Sequence, residues 1–314
     1  MKPVVIIAGP TAVGKTELTL QLAQKLGGEI VSSDSMQIYR RMDIGSAKPG
    51  AGELASVPHH LIDVAEPEAP FTVSDYRQLA LAALRDIGDR GRVPIVSGGT
   101  GLYVNALLYE MDFSDTGSDP AYRKALEEEA ARNGPETLHS RLTLLDPEAA
   151  AAIHPNNVKR VIRALEINEV GGGKKGDFTK NQRRNLEFSF LFVCLTRPRQ
   201  ELYDRINTRV DLMLAAGLLH EVETLRASGL TRGHQSMQGI GYKELLAHLE
   251  GECSLEAAVA SIKQNTRHYA KRQLTWFKRY PEAHWLDLSG YPDAGGATAA
   301  LYDLFHTFLP GGVL

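Results

Sequence analysis

Hydrophobic and polar positions along the N-terminal part of the chain follow two alternating rhythms. The unbroken apolar run Val4-Val5-Ile6-Ile7-Ala8 predicts a strand buried on both faces. Leucines at helical spacing follow, Leu18, Leu22 and Leu26, before Gly27-Gly28 stops the helix. Glu29-Ile30-Val31-Ser32-Ser33 predicts a second strand, and Val93-Pro94-Ile95-Val96-Ser97 a third. Between them Thr72-Val73-Ser74-Asp75 opens an amphipathic helix with Tyr76, Leu79, Ala80, Ala83, Leu84 and Ile87 on the face expected to cover the sheet.

From about Asp119 to Val170 the pattern turns helical without intervening strands. Asp119-Pro120 and Asp146-Pro147 are each a cap followed by proline in the first turn, and Asn156 opens a helix carrying Lys159, Arg160 and Arg163. Gly171-Gly172-Gly173-Lys174-Lys175-Gly176 is a basic, glycine-rich linker, after which Glu187 to Leu195 resumes as a buried strand. A helix with Ile206 and Val210 follows, then a long one over about 255–280, a final strand (Ala283 to Leu288) and a closing helix. Strands alternating with helices predict an α/β fold, a P-loop NTPase-like doubly wound parallel sheet. Residues 1–116 and 187–314 form its core, and 117–186 a helical insertion.

Composition narrows the class. The chain has 314 residues, of which 43% are hydrophobic and 23% charged, enough for a sizeable core. No apolar run approaches the length of a membrane span, and the chain opens on a core strand with no room for a signal peptide, so a cytoplasmic monomer is expected. Cys194 and Cys253 have no metal-ligand spacing and read as inert thiols. A net charge of −3 argues against generic nucleic-acid binding but leaves local basic patches open.

The chemistry begins where the first strand ends. Gly9-Pro10-Thr11-Ala12-Val13-Gly14-Lys15-Thr16 has the form G-x-x-x-x-G-K-[ST] between strand and helix. Its glycines let the backbone approach an anion, Lys15 adds a mobile charge, and the Thr16 hydroxyl can reach Mg²⁺. The loop alone does not say which phosphate it holds. Asp34, past the second strand, should face this loop across the crevice and act as a base, or else cap a turn or hold the metal's water. The third strand ends in Ser97-Gly98-Gly99-Thr100, without the magnesium-binding Asp expected of an ATP hydrolase. Thr100 can cap the next helix, bond substrate, or both.

Arg205 and Arg209 lie four apart and could meet a pyrophosphate, although spacing alone favours a solvated face. The long late helix carries Lys263, Arg267, Lys271, Arg272, Lys278 and Arg279 as a stripe with few acidic partners, opposite Ala258, Ile262, Tyr269, Gln273 and Trp276.

Together the phosphate loop, Asp34-Ser35-Met36-Gln37-Ile38-Tyr39, Met42-Asp43-Ile44-Gly45-Ser46-Ala47-Lys48-Pro49, Ser97-Gly98-Gly99-Thr100-Gly101-Leu102-Tyr103 and Lys271-Arg272-Gln273-Leu274-Thr275-Trp276-Phe277 strongly resemble the bacterial tRNA dimethylallyltransferases over nearly the whole chain. The resemblance implies transfer of a dimethylallyl group from dimethylallyl diphosphate to N6 of adenosine 37, beside the anticodon of tRNA, with Mg²⁺. It further implies Asp34, Thr100, Lys15 and Arg209 as catalytic groups, Gly9 to Thr16 as the diphosphate cradle, and Thr16 as the metal's protein ligand. The adenine would enter near Asp34, Ser35, Met36, Gln37 and Thr100. The anticodon stem-loop would meet Arg123; Lys159, Arg160, Val161, Ile162 and Arg163; Gln238, Gly241, Tyr242 and Lys243; and Lys271, Arg272, Gln273, Trp276 and Lys278. The stretch 171–185 departs from the family pattern and carries no role. A P-loop small-molecule kinase is the competing reading, since it shares the loop and an acid after the second strand; the basic late helix separates the two.

Overall fold

The computed structural model describes residues 1–110, 119–170 and 183–309. Six parallel strands, β1 (Lys2–Ala8), β2 (Glu29–Ser32), β3 (His59–His60), β4 (Pro94–Gly98), β5 (Phe188–Thr196) and β6 (His284–Asp287), lie in the order β3-β2-β4-β1-β5-β6. The central place of β1 follows from its continuous apolar run: Val4 to Ala8 are at most 1% exposed, as a strand covered on both faces requires. The two-residue β3 and the short helix α2 (Ala51–Ser56) have too little periodicity to be read from sequence.

Helix α1 (Lys15–Leu26) starts at Gly14 (φ 114°) and stops at Gly27 (φ 59°), whose left-handed backbone returns its amide to the Ala23 and Gln24 carbonyls. Its Leu18 and Leu22 pack with Val5 and Ile7 of the sheet and with Leu301 and Phe305 of the closing helix α13 (Ala294–Phe308). On the opposite side run α3 (Val73–Asp89), capped reciprocally by Thr72 and Asp75, and α4 (Gly101–Leu108). One expectation for α3 is corrected. Leu79 is 42% exposed and Leu81 is buried in its place; both flank the Tyr76–Ala80–Leu84–Ile87 stripe, and packing rather than periodicity selects the flank. Helices α9 (Arg199–Ala215), α10 (Leu218–Ala227), α11 (Tyr242–Leu249) and α12 (Leu255–Phe277) complete this unit, which comprises 1–108 and 185–314.

The second compact unit, Tyr109–Arg184, contains α5 (Pro120–Asn133), α6 (Pro135–Leu145), α7 (Pro147–Ala152) and α8 (Val158–Glu169). Asp119 and Asp146 cap α5 and α7, each followed by proline at the first helical position. Helix α8 opens one turn position later than Asn156 suggests, with Asn157 as its cap residue. Leu126, Leu138, Leu142, Val161 and Leu165 form its core. The boundary expected at 116/117 and the 171–176 linker lie outside the described residues.

Candidate active site

In the phosphate loop, the carbonyl oxygens are tied by cations. Lys15 Nζ donates to the Gly9 and Pro10 carbonyls at 3.0 and 2.7 Å, Arg205 Nε to Ala12 O at 2.8 Å and Arg197 Nε to Val13 O at 2.8 Å. A trans peptide carries its C=O and N–H on opposite sides, so these bonds turn the Val13 and Gly14 amides away from the arginines. Gly9 is required by close approach: a Cβ there would lie 2.8 Å from the Leu195 carbonyl of β5.

Arg205 is exposed yet bonded to the loop, and Arg209 is partly buried beside it. Both line, with Lys15, Thr16 and Asp34, a cavity of about 640 Å³ within the sheet-containing unit. Burial, and then the charge of Arg209, lower the Lys15 pKa to about 8, against the opposing pull of Asp34. Burial and Arg205 likewise press the Arg209 pKa down. Lys15 and Arg209 press on each other's charge, a strain that an anion between them relieves. Beneath it, burial pushes the Cys194 thiol up to about 12, so this cysteine is an inert core residue.

Asp34 lines the same cavity, close enough to Lys15 for its charge to act on the lysine. Its Oδ1 accepts the Met36 amide at 2.8 Å, which fixes the rotamer and leaves the second oxygen for other chemistry. Thr100 stands just before α4, its carbonyl accepting the Val104 amide at 3.2 Å, while its Oγ1 accepts the Ser35 amide at 3.0 Å and so pins the Asp34 loop to the end of β4. Gln37 accepts from Ser32 Oγ at 2.9 Å and donates to Ala47 O at 3.2 Å, which brings the Asp43–Pro49 motif to the same rim. That motif is anchored by a residue the sequence did not single out. Glu221 of α10 accepts the amides of Asp43, Ile44 and Gly45 at 2.9, 2.7 and 3.1 Å and the Tyr242 hydroxyl at 2.7 Å. Lys48, its side chain 5% exposed, is spent on Tyr39 O, Asp43 and Asp63, all at 2.6 Å.

Several residues expected at the RNA surface make contacts within the protein. Tyr242 is fully buried, its hydroxyl on Glu221. Val161 and Ile162 belong to the core of the helical unit, on the inward side of an amphipathic helix. Arg123 and Arg163 both hydrogen-bond the buried Glu166. Burial would raise that carboxyl, but the two arginines and the Asp119 amide together outweigh it and hold the pKa below the usual range. Lys159 and Arg160 are exposed, as are Lys271, Arg272, Lys278 and Gln238, while Gly241 and the half-buried Lys243 line the cavity. The basic stripe of α12 divides in two. Lys263 pairs with Asp211 at 2.6 Å and Arg267 donates to Asn207 at 2.7 Å, both on α9, an arrangement invisible to helical periodicity alone. Trp276 packs edge-on against Gly101, where a Cβ would come within 2.2 Å of its ring, and Arg279 lies 4.4 Å above the indole centroid. Gln273 is buried rather than presented outward.

A parallel doubly wound sheet with a phosphate loop after its first strand, cations converging on that loop and an acid across the crevice define a P-loop-like transferase. Residues 37–280 match the family model described as IPP transferase. The chain is 52% identical to the tRNA dimethylallyltransferase of Geobacillus thermodenitrificans over 91% of its length and 90% of that protein's. It is 50% identical to the one from Alkaliphilus oremlandii over 92% and 93%. Among solved structures it is similar to the tRNA isopentenylpyrophosphate transferase of Bacillus halodurans (TM-score 0.74, 44% identity, 98% and 97% of the two chains). It is also similar to a eukaryotic dimethylallyltransferase acting on tRNA (TM-score 0.82, 32% identity, 99% and 81%). The chain belongs to the IPP transferase family, among its tRNA dimethylallyltransferases.

Proposed function

We propose that this enzyme transfers the dimethylallyl group of dimethylallyl diphosphate to N6 of adenosine 37, the base 3′ to the anticodon of tRNA, releasing diphosphate. The observation that carries the reading is that Lys15, Thr16 and Arg209 share one cavity with Asp34. On this reading Lys15, Thr16 and Arg209 meet the diphosphate and Asp34 the base within one cavity.

The exocyclic nitrogen of adenine is a weak nucleophile because its lone pair is delocalised. Asp34 takes the N6 proton as the N–C bond forms and the allylic C–O bond breaks. The electron pair of that bond leaves on the diphosphate, where Lys15, Arg209 and the loop amides meet the developing charge. Thr100, through Ser35, holds the Asp34 loop at the rim. Adenosine 37 must leave its stack to enter, and the walls exclude the water that would compete for the allylic carbon.

The donor set fits Mg²⁺ held mainly by the diphosphate and water. Among the described residues no group of three or more His, Cys, Asp or Glu could hold a metal, whereas the half-buried Thr16 offers a hydroxyl beside the phosphate loop. Bound there, the ion would neutralise charge on the leaving group. Exposed Lys159, Arg160, Lys271, Arg272 and Lys278 are the groups for tRNA phosphates. No described helix is long and apolar enough to cross a membrane.

Incubation with unmodified tRNA, dimethylallyl diphosphate and Mg²⁺, read by mass spectrometry, should place one isopentenyl unit on a single adenosine. Donor consumption should require tRNA. Steady ATP turnover without tRNA, or phosphorylation of a small acceptor, would overturn the assignment in favour of a kinase.

A further inference from the structure

The ladder between β1 and β4 ends at the pair Ala8–Gly98, where the phosphate loop and the Thr100 rim leave the sheet side by side. Just past that point a residue of distant sequence joins them. Gln273 of α12, 5% exposed, accepts the Thr11 amide on Oε1 at 2.9 Å and donates from Nε2 to the Gly99 carbonyl at 2.8 Å. Position 99 must be glycine for this to happen, because a Cβ there would stand 2.1 Å from Nε2. One turn earlier, the Tyr269 hydroxyl interacts with the side chains of both Thr100 and Gln273.

We propose that Gln273 is a positioning residue: its amide clamps the phosphate loop to the Thr100 rim and so sets the distance between the leaving diphosphate and the base-bearing side of the cavity. Both halves of the amide are needed, since one bond requires an acceptor and the other a donor. Leu supplies neither, and ionised Glu supplies only the acceptor. Gln273 lines the cavity, with both ends of its amide bonded to backbone. It acts through the Thr11 amide and through Gly99, the neighbour of Thr100, whose hydroxyl in turn holds the Asp34 loop. Its neighbours Lys271 and Arg272 are exposed, so α12 presents cations outward and the clamp inward.

The proposal rests on the transferase reading, and its test separates the two. Single-turnover transfer is measured at saturating tRNA and dimethylallyl diphosphate, together with tRNA affinity and thermal unfolding. Gln273→Leu should slow bond formation by about 10–100-fold, the scale expected for reacting groups held out of register, with tRNA affinity unchanged. Gln273→Glu should recover rate as pH falls and its carboxyl gains the O–H that can donate to Gly99, a dependence absent from the parent and from the Leu variant. A purely structural role would lower Tm while leaving the rate of the folded fraction and its pH profile at parent values, and would overturn the proposal. So would a loss of tRNA affinity in step with the rate, which would make Gln273 an RNA contact. If the Leu variant does not fold, a flat pH profile of Gln273→Glu overturns the proposal by itself. A parent enzyme that transfers nothing under these conditions fails the transferase reading instead.

Discussion

At the phosphate-loop end of the cavity one continuous stretch, Gly9 to Thr16, forms the loop itself, braced by distant arginines, whereas the rim that bears Asp34 is assembled from segments far apart in sequence. The loop is shaped by cations on its carbonyls, from Lys15, Arg197 and Arg205. The rim is held mostly by neutral side chains and one carboxylate: Thr100 on Ser35, Gln37 on Ala47, Gln273 on Gly99 and Glu221 on three successive amides. The difference follows from the ligands proposed for each end. Consecutive amides at a helix start suffice for a compact anion. A planar base must be met from several directions, which only separate segments can provide.

Substitution at Asp34 should mark the contrast most strongly. On the proposed mechanism Asp34→Ala removes the base, and the transfer rate should fall by about 10²–10⁴, with tRNA and donor affinities nearly unchanged. Pre-steady-state quench measurements check this, and full turnover by the variant would remove Asp34 from the chemistry.

The phosphate-loop end should instead answer to pH. On the proposed reading Lys15 meets the diphosphate in its charged form, while burial and Arg209 lower its pKa in the free protein to about 8 from the ordinary 10.5. An anion raises that pKa again, so binding takes up a proton in this range. Donor affinity should be greatest below pH 8 and weaken as pH rises through it, approaching a factor of about ten per pH unit. Calorimetry with dimethylallyl diphosphate in buffers of different ionisation enthalpy would detect the uptake. Lys15→Arg, which stays charged, should lose both the uptake and the slope.

The smallest effect belongs to the outer face of α12. Lys271 and Lys278 are exposed, whereas Lys263 is paired with Asp211. Converting Lys271 and Lys278 to Ala should weaken every substrate tRNA alike and lower the salt slope of binding by somewhat under about one unit per contact, with single-turnover chemistry preserved. Lys263→Ala should leave the slope unchanged. Equal slopes for both variants would erase the distinction between the two halves of the stripe.

The sequence by itself determined the elements that are encoded locally. The apolar run of β1, the leucine spacing of α1, its Gly27 stop and the Asp-Pro starts of α5 and α7 are each decided within a few residues, and the phosphate loop is likewise a contiguous motif. Asp34 and Thr100 were legible as strand-end residues because parallel strands deliver their ends to one edge. Tertiary structure alone decided which polar residues face a ligand and which are consumed as braces. Arg205 could not be told from a solvated arginine until α9 lay against Ala12, and Gln273 could not be told from a surface contact until its amide met Thr11 and Gly99. Tyr242 carries the residue type of an RNA surface yet is buried on Glu221, and Arg123 and Arg163 each hold the buried Glu166 while staying partly exposed. Periodicity reports which side of a helix is apolar; the partner of a polar group depends on a second segment whose distance in sequence carries no local signal.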